Sequence, residues 1–443
     1  MRCFAAPLTV FGAAASILVT ASCTTKEISA VHYSETIPWV ANYDESQIPP
    51  YTLPDPLLCA DGSRVTTAEE WNAKRRPELL RLFREFIYGD PIPRPDRLRV
   101  VPLTEKRDAR GGLAVRRELR LDFMMADGRR RSVIMLLYLP IQAREKPPVC
   151  VVLTFGGNQS VTDEDDITMT GWQGKRTADF IPPGGHVRRF PIDELMRRGY
   201  ALAVASYHDF FPDYPASWAT GIYELFRSRE ELTERPAGAS AITAWAWGYS
   251  RLLDALETLP GIDAAKAVAI GHSRLGKAAL WAAAQDERFK VVGVNDAGCG
   301  GPALNRRLFG ETLFSMFHKN GVGRWWFTEK MEQLCGTPEK LPVDQHELVA
   351  LVAPRAVAVH SATLDQWADP RGEYLGAYHA GAVWRLFGKT PLASPEPPPP
   401  DTPVGTDVSY FLRTGKHDLL DSDWHHYLDV ADRVFGRRSP AAP

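Results

Sequence analysis

Cysteine is scarce in this chain, 6 among 443 residues, and no pair has C-x-x-C spacing. That argues against a zinc site or a dithiol redox centre. Charge of one sign is also lacking: 52 Lys and Arg against 54 Asp and Glu leave a formal net of −2. No overall field draws nucleic acid or an anionic membrane surface. Past the N-terminus no stretch approaches the ~18 uninterrupted apolar residues of a membrane span, so the mature chain is expected to be soluble or merely tethered. No internal repeat marks a solenoid. What is present, 44% hydrophobic and 24% charged residues, fits a globular protein and excludes collagen-like, coiled-coil and disordered classes. Single α/β domains with insertions reach this length.

The N-terminus reads separately. Arg2 precedes an apolar stretch from Leu8 to Val19, followed by Ala21, Ser22 and Cys23. A basic start, a short apolar run and small residues make 1–23 an export signal. Two processing modes fit: ordinary cleavage, or lipoprotein processing with a lipid anchor on Cys23, although Thr20 sits where the second pattern usually has leucine. The product would be periplasmic, outer-membrane-tethered or secreted. Cys59, Cys150, Cys299 and Cys335 read as buried free thiols; export permits disulfides without assigning them.

Residues 24–65, polar and rich in proline and tyrosine, read as a wrapped N-terminal arm, 66–436 as one α/β domain, and 437–443 as a tail. A helix pair is expected after the arm, broken at Pro77, with Leu79, Leu80, Phe83, Phe86 and Ile87 at helical spacing up to Gly89. Strand-like runs occur at 131–139, 149–155, 200–206, 266–270, 290–295 and 355–361. Between them, Ile242, Trp245, Tyr249, Leu252, Leu253 and Leu256 share one helical face, as do Trp424, Tyr427, Leu428, Ala431 and Phe435. Apolar strands alternating with amphipathic helices predict an α/β fold, a mostly parallel sheet covered on both faces. Insertions are expected near 156–190 and 395–403, the second an extended loop with four consecutive prolines. The acidic cluster Asp163–Asp166 reads as a solvated loop surface rather than a calcium site.

The most informative segment runs from Val268 through Gly271, His272, Ser273, Arg274, Leu275, Gly276 and Lys277 to Trp281. A β run ends at Gly271 and an alanine-rich helix follows Leu275, which puts Ser273 in the sharp turn between them. There the hydroxyl is lifted clear of the sheet, and helix-start amides face developing negative charge. The usual G-x-S-x-G elbow is shifted, with Leu275 in the fifth position and glycine one place later. Ser is also a favoured N-cap, but the preceding strand and small neighbours favour a nucleophile on an α/β-hydrolase three-layer sandwich. Its base follows in chain order after an acid. Of His318, His346, His360, His379, His417, His425 and His426, His417 lies in a loop just before the last helix, where that base belongs. His425 and His426 fall on the helix as surface or packing residues. His346 opens an H-E-x-x-H pattern that Ala350 breaks, which rejects a zinc protease. Two acids compete, Asp296 after the 290–295 run and Asp365 after the 355–361 run, both at the C-terminal edge of the sheet, where such folds bind ligands.

These segments resemble the glucuronoyl esterases, carbohydrate esterase family fifteen, and particularly their bacterial branch. The resemblance is carried by Gly271-His-Ser-Arg-Leu-Gly-Lys277, Asn295-Asp-Ala-Gly-Cys-Gly-Gly301, Leu341-Pro-Val-Asp-Gln-His346, Ala353-Pro-Arg355, Trp367-Ala-Asp-Pro370 and Gly415-Lys-His-Asp418. Upstream, Arg75-Arg-Pro-Glu-Leu79 and Tyr88-Gly89 also match. It spans about residues 65 to 436. It implies Ser273 as nucleophile, His417 as base, Arg274 as an oxyanion donor through its backbone N–H and guanidinium, and the acid at Asp296 or Asp365. Fungal members carry glutamate at the first of these sites; aspartate is one methylene shorter, which favours Asp365, with Asp296 sharing the role. Lys277, Glu311 and Trp367 match positions that bind the sugar.

The implied activity is hydrolysis of esters of glucuronic or 4-O-methylglucuronic acid, as between glucuronoxylan and lignin alcohols, with no metal or organic cofactor. The alternatives are another exported carbohydrate esterase, such as an acetylxylan esterase, and a catalytically silent carbohydrate-binding protein. The leaving alcohol and the oligomeric state are not written in the sequence.

Overall fold

A computed structural model describes residues 40–437 apart from 144, 172–180, 216–217 and 320; the expected export signal, Cys23 and residues 438–443 lie outside the described residues. The strands are β1 (Arg97–Asp108), β2 (Ala114–Met124), β3 (Arg130–Pro140), β4 (Val149–Thr154), β5 (Ala201–Ser206), β6 (Ala267–His272), β7 (Phe289–Asn295), β8 (Ala356–Ala362), β9 (Val404–Gly405) and β10 (Val408–Arg413). They form one sheet in the order β1-β2-β3-β5-β4-β6-β7-β8-β10-β9. From β5 to β10 neighbours are parallel; β1, β2 and β3 add an antiparallel edge and β9 pairs antiparallel with β10. Each predicted run became a strand because its Val, Ile, Leu and Ala side chains are buried on both faces of the sheet.

Helices cover both faces. Ala241–Glu257, started by Ser240 accepting from the Thr243 amide, and Pro370–Leu386 pack on one side with Trp245, Tyr249 and Trp384. On the other, Asp421–Phe435 lays Trp424, Tyr427 and Leu428 against Val268, Ile270 and Ala358. Gly293 makes room there, since a Cβ would lie 2.8 Å from the Tyr427 ring. This is the three-layer α/β-hydrolase arrangement. No helix among the described residues is long and apolar enough to cross a membrane. Cys59, Cys150, Cys299 and Cys335 are buried free thiols.

Three expectations are corrected or sharpened, and strands β1, β2, β9 and β10 lie outside the predicted runs. Pro77 does not break a helix pair: Ala68–Glu70, Trp71–Arg75, Arg76–Phe83 and Arg84–Tyr88 run on as one helix with two wide π segments. Pro77 begins an α segment directly after the first wide turn, where its missing N–H is tolerated. β1 and β2 were hidden by their charges. The acidic cluster explains part of this, because it is not simply solvated: Arg116 of β2, 2% exposed, is held by Asp166 at 2.6 Å and Glu164 at 3.3 Å. β10 is short and follows the proline-rich loop. Finally, His426 is a packing residue, its Nδ1 2.6 Å from His360 Nε2.

Residues 42–45 of the arm lie along 307–310, and 54–60 meet Arg75, Glu78 and His346. Gly310 N–H donates to Asn42 O at 2.8 Å, and Glu45 pairs with Arg307, which also holds Asp369 at 2.9 Å. The Arg75–Leu79 block is tied by a buried ion pair to the residue after the Leu341–His346 block: Arg75 Nη2 lies 2.7 Å from Glu347 Oε1, the side chains 5% and 0% exposed. Arg75→Ala would leave that carboxylate buried and unpaired, so it should cost about 3–5 kcal/mol of stability. Urea titration checks this, and a loss below about 1 kcal/mol would contradict the packing described.

Candidate active site

At the end of β6 the backbone turns through Ser273 with φ +57° and ψ −132°, and the Arg274–Gln285 helix begins. A non-glycine residue in the left-handed region is strained and marks a functional turn. The turn is tight: a Cβ on Gly271 would lie 2.1 Å from Leu275 O. Gly276, one place later than in the usual pattern, is also required, because a Cβ there would sit 2.9 Å from Ala297 Cβ. Leu275 is fully buried, so the shifted glycine serves the same close approach of helix to strand. The Ser273 amide donates to Asn295 O at 2.8 Å, tying the elbow to β7.

His417 comes from the loop between β10 and Asp421–Phe435. That loop is pinned from below by Arg413, 4% exposed, which donates to Lys416 O and Asp418 O at 2.9 Å and meets Asp423 Oδ2 at 3.0 Å. It is zipped to the loop after β8 by Leu364 N–H donating to Gly415 O at 2.8 Å. The zipper sets His417 Nδ1 2.6 Å from Asp365 Oδ2. A carboxylate only accepts, so Nδ1 carries the proton and Nε2 is left as the basic nitrogen. The His417 ring rests on His272 with centroids 4.5 Å apart. His272 is itself fixed by the Asn295 amide, which donates to its Nδ1 at 2.9 Å while also donating to Asp418 O. Burial, and then His417, push His272 well below the usual histidine range. Ser273, Arg274 and His417 line one cleft of about 460 Å³, with Phe155, His186 and Tyr207 among its walls.

Asp296, the competing acid, makes other contacts. Its backbone is left-handed (φ +44°). Its Oδ2 accepts from the Asp418 amide and from Asn295 at 3.2 Å, and from Arg413 at 3.4 Å. It therefore props the His417 loop. Burial, and then Glu373 and Asp365, push it well above the usual carboxylate range. Asp296, Asp365 and His417 bring potential ligand atoms within 4.8 Å of one another. In this cluster Asp365 Oδ2 faces the imidazole proton and Asp296 Oδ2 faces three donors, while Asp296 Oδ1 is buried with no hydrogen-bond partner among the described residues.

The expected sugar-binding residues form a connected group. Lys277, buried, donates to Ala297 O and lies 3.4 Å from Glu311 Oε2. Trp367 Nε1 donates to Glu311 Oε1 at 3.1 Å. They adjoin the cleft, and Trp326 is shared by the two groups: Arg274 and Lys277 both face its ring, at 4.8 and 5.8 Å. Sequence reasoning missed His272, Asp213, Arg413 and Glu373. Of these, His272 and Arg413 had a signal, standing directly beside Ser273 and the His417 loop.

Glu373 is buried and accepts from the Ala297 and Gly298 amides, both at 2.8 Å, and from the Ser361 hydroxyl at 2.6 Å. Burial outweighs these donors and pushes it up to about 8, from an ordinary value of 4.5. Over that window the folded chain holds a proton that the unfolded chain releases. The stability from this group is therefore full below about pH 4.5 and lost as pH rises through about 8. Glu373→Gln, neutral throughout, should gain stability relative to the parent between about pH 5 and about pH 9 in denaturant titrations; a pH-independent difference would contradict this.

A family model described as glucuronyl esterase, fungi, matches residues 221–388, which include Ser273, Asp296, Glu311, Asp365 and Trp367. Carbohydrate esterase MZ0003 of an unknown prokaryotic organism is 38% identical over 400 residues, covering 88% of this chain and 91% of that protein. The 4-O-methyl-glucuronoyl methylesterase 1 of Wolfiporia cocos is 27% identical, covering 89% and 85%. Among solved structures, a glucuronoyl esterase from Solibacter usitatus superposes with a TM-score of 0.82 at 37% identity, covering 89% of this chain and all of that one. With this likeness over nearly its whole described length, the chain belongs to the glucuronoyl esterases of carbohydrate esterase family 15, carboxylic ester hydrolases that act on esters of glucuronic acid.

Proposed function

We propose that Ser273, His417 and Asp365 act as a catalytic triad on esters joining glucuronic or 4-O-methylglucuronic acid of glucuronoxylan to lignin alcohols. The observation that carries this is the 2.6 Å bond from His417 Nδ1 to Asp365 at a cleft that also exposes the elbow serine. Ser273 Oγ attacks the C6 carbonyl while His417 Nε2 takes its proton, and Asp365 stabilises the imidazolium. The oxyanion is met by the Arg274 backbone N–H and guanidinium. His417 protonates the departing alcohol, then removes a proton from the water that cleaves the glucuronoyl–enzyme ester. Lys277, Glu311 and Trp367 receive the sugar: Glu311 has lone pairs left for hydroxyls beyond those facing Lys277 and Trp367. The likeness to fungal 4-O-methyl-glucuronoyl methylesterases supports the substrate class. Residues 1–23, as an export signal, would deliver the enzyme to polymeric substrate.

Ser273→Ala should abolish turnover of benzyl glucuronate. Asp365→Asn should lower kcat by about 10³- to 10⁴-fold, since an amide NH2 facing Nδ1 favours the wrong tautomer and the imidazolium loses its counter-charge. Asp296→Asn, which removes only a prop, should cost about tenfold or less. Steady-state kinetics separate these outcomes, and the reverse order would make Asp296 the acid. Acetylated xylan should be a poor substrate; dominant acetate release would overturn the uronate assignment.

A further inference from the structure

An arginine that meets a transient negative charge must be aimed before that charge appears. Arg274 has four side-chain torsions and does not aim itself. Asp213, in the segment that follows β5, takes hold of it. The Asp213 side chain is 4% exposed, and its two oxygens collect donors from three separate parts of the chain. Oδ2 accepts from Arg274 Nη1 and, at 3.3 Å, from the Tyr207 hydroxyl. Oδ1 accepts from the indole N–H groups of Trp325 and Trp326, both at 2.7 Å. With four donors on it, this carboxylate has little freedom to turn. The guanidinium is further sandwiched by rings, 4.8 Å from Trp326 and 5.7 Å from Phe155. Its Nε finds no hydrogen-bond partner among the described residues, so the polar grip on the side chain comes through Nη1.

We propose that Asp213, steadied by Trp325 and Trp326, is a positioning residue that points the Arg274 guanidinium at the carbonyl oxygen of an ester bound at Ser273. Asp213 touches no reacting atom; it acts through Arg274. The pair also tempers the arginine's charge, so the site offers direction to a fleeting oxyanion more than attraction to any standing anion. This inference rests on the roles proposed for Ser273 and Arg274.

The test compares wild type, Asp213→Asn, Arg274→Ala and the double variant on benzyl glucuronate, with Ser273→Ala as the blank. Asp213→Asn should lose about 10- to 100-fold in kcat, with KM changed by less than about threefold. The double variant should be no slower than Arg274→Ala alone, because both changes remove one unit. Guanidinium chloride at sub-denaturing concentration should restore part of the activity of Arg274→Ala and none in the double variant, which lacks the carboxylate that would capture the ion. Wild-type kcat in Asp213→Asn, additive losses, or equal rescue in both backgrounds would each overturn the proposal. If Asp213→Asn does not fold, Trp326→Phe keeps a ring beside the guanidinium and removes one donor from Asp213; a lowered kcat supports the proposal and an unchanged one overturns it. Failure of the underlying reading looks different: Ser273→Ala or Arg274→Ala would then keep the wild-type rate.

Discussion

The proton that His417 Nδ1 shares with Asp365 at 2.6 Å fixes which imidazole nitrogen faces the cleft, and most of the surrounding structure serves to keep it there. Histidine and aspartate arrive on separate loops, after β10 and β8, which are adjacent parallel strands in register. Adjacency alone does not orient a side chain. The loops are joined by Leu364 N–H to Gly415 O and Gly415 N–H to Thr363 Oγ1, and Arg413 gathers the carbonyls of Lys416 and Asp418 beneath them. The cost of burying Arg413 is offset by Asp423, 3.0 Å away, as a buried charge requires.

That arrangement explains why the site is crowded with acids yet has a single carboxylate on the imidazole. Asp296, buried, spends Oδ2 on the Asp418 amide, Asn295 and Arg413. Glu373 spends both of its oxygens on backbone amides and Ser361. Each holds a loop that would otherwise present unsatisfied N–H groups in a dry region, where an unmade hydrogen bond is expensive. The acids differ in reach: Asp296 takes the Asp418 amide of the His417 loop, whereas Asp365 reaches the His417 ring itself.

The parallel strands β4 to β8 were legible because doubly buried strands are written as continuous apolar runs, whereas the parallel β10, with Ser409, Tyr410 and Arg413 among its six residues, was not; the elbow was legible because Gly271 and Gly276 leave few other readings. His417 was legible from its loop before a strongly amphipathic helix. β1 and β2 were not, since Arg116 and Glu118 are buried within β2 and their partners, Asp166 and Thr168, lie fifty residues away. For the same reason Asp213 was invisible. Its donors come from residues 207, 274, 325 and 326, and no local spacing announces a carboxylate that is completed only by the tertiary fold. Local patterns predict backbone geometry well; buried polar contacts at long range are settled by packing.

The most direct test of an activated serine at this elbow is reaction with a fluorophosphonate followed by peptide mass spectrometry. The account predicts one phosphonyl group, on the peptide carrying Ser273, with esterase activity lost in step with labelling. An active enzyme that resists the reagent, or one inactivated with the label on another residue, would contradict it.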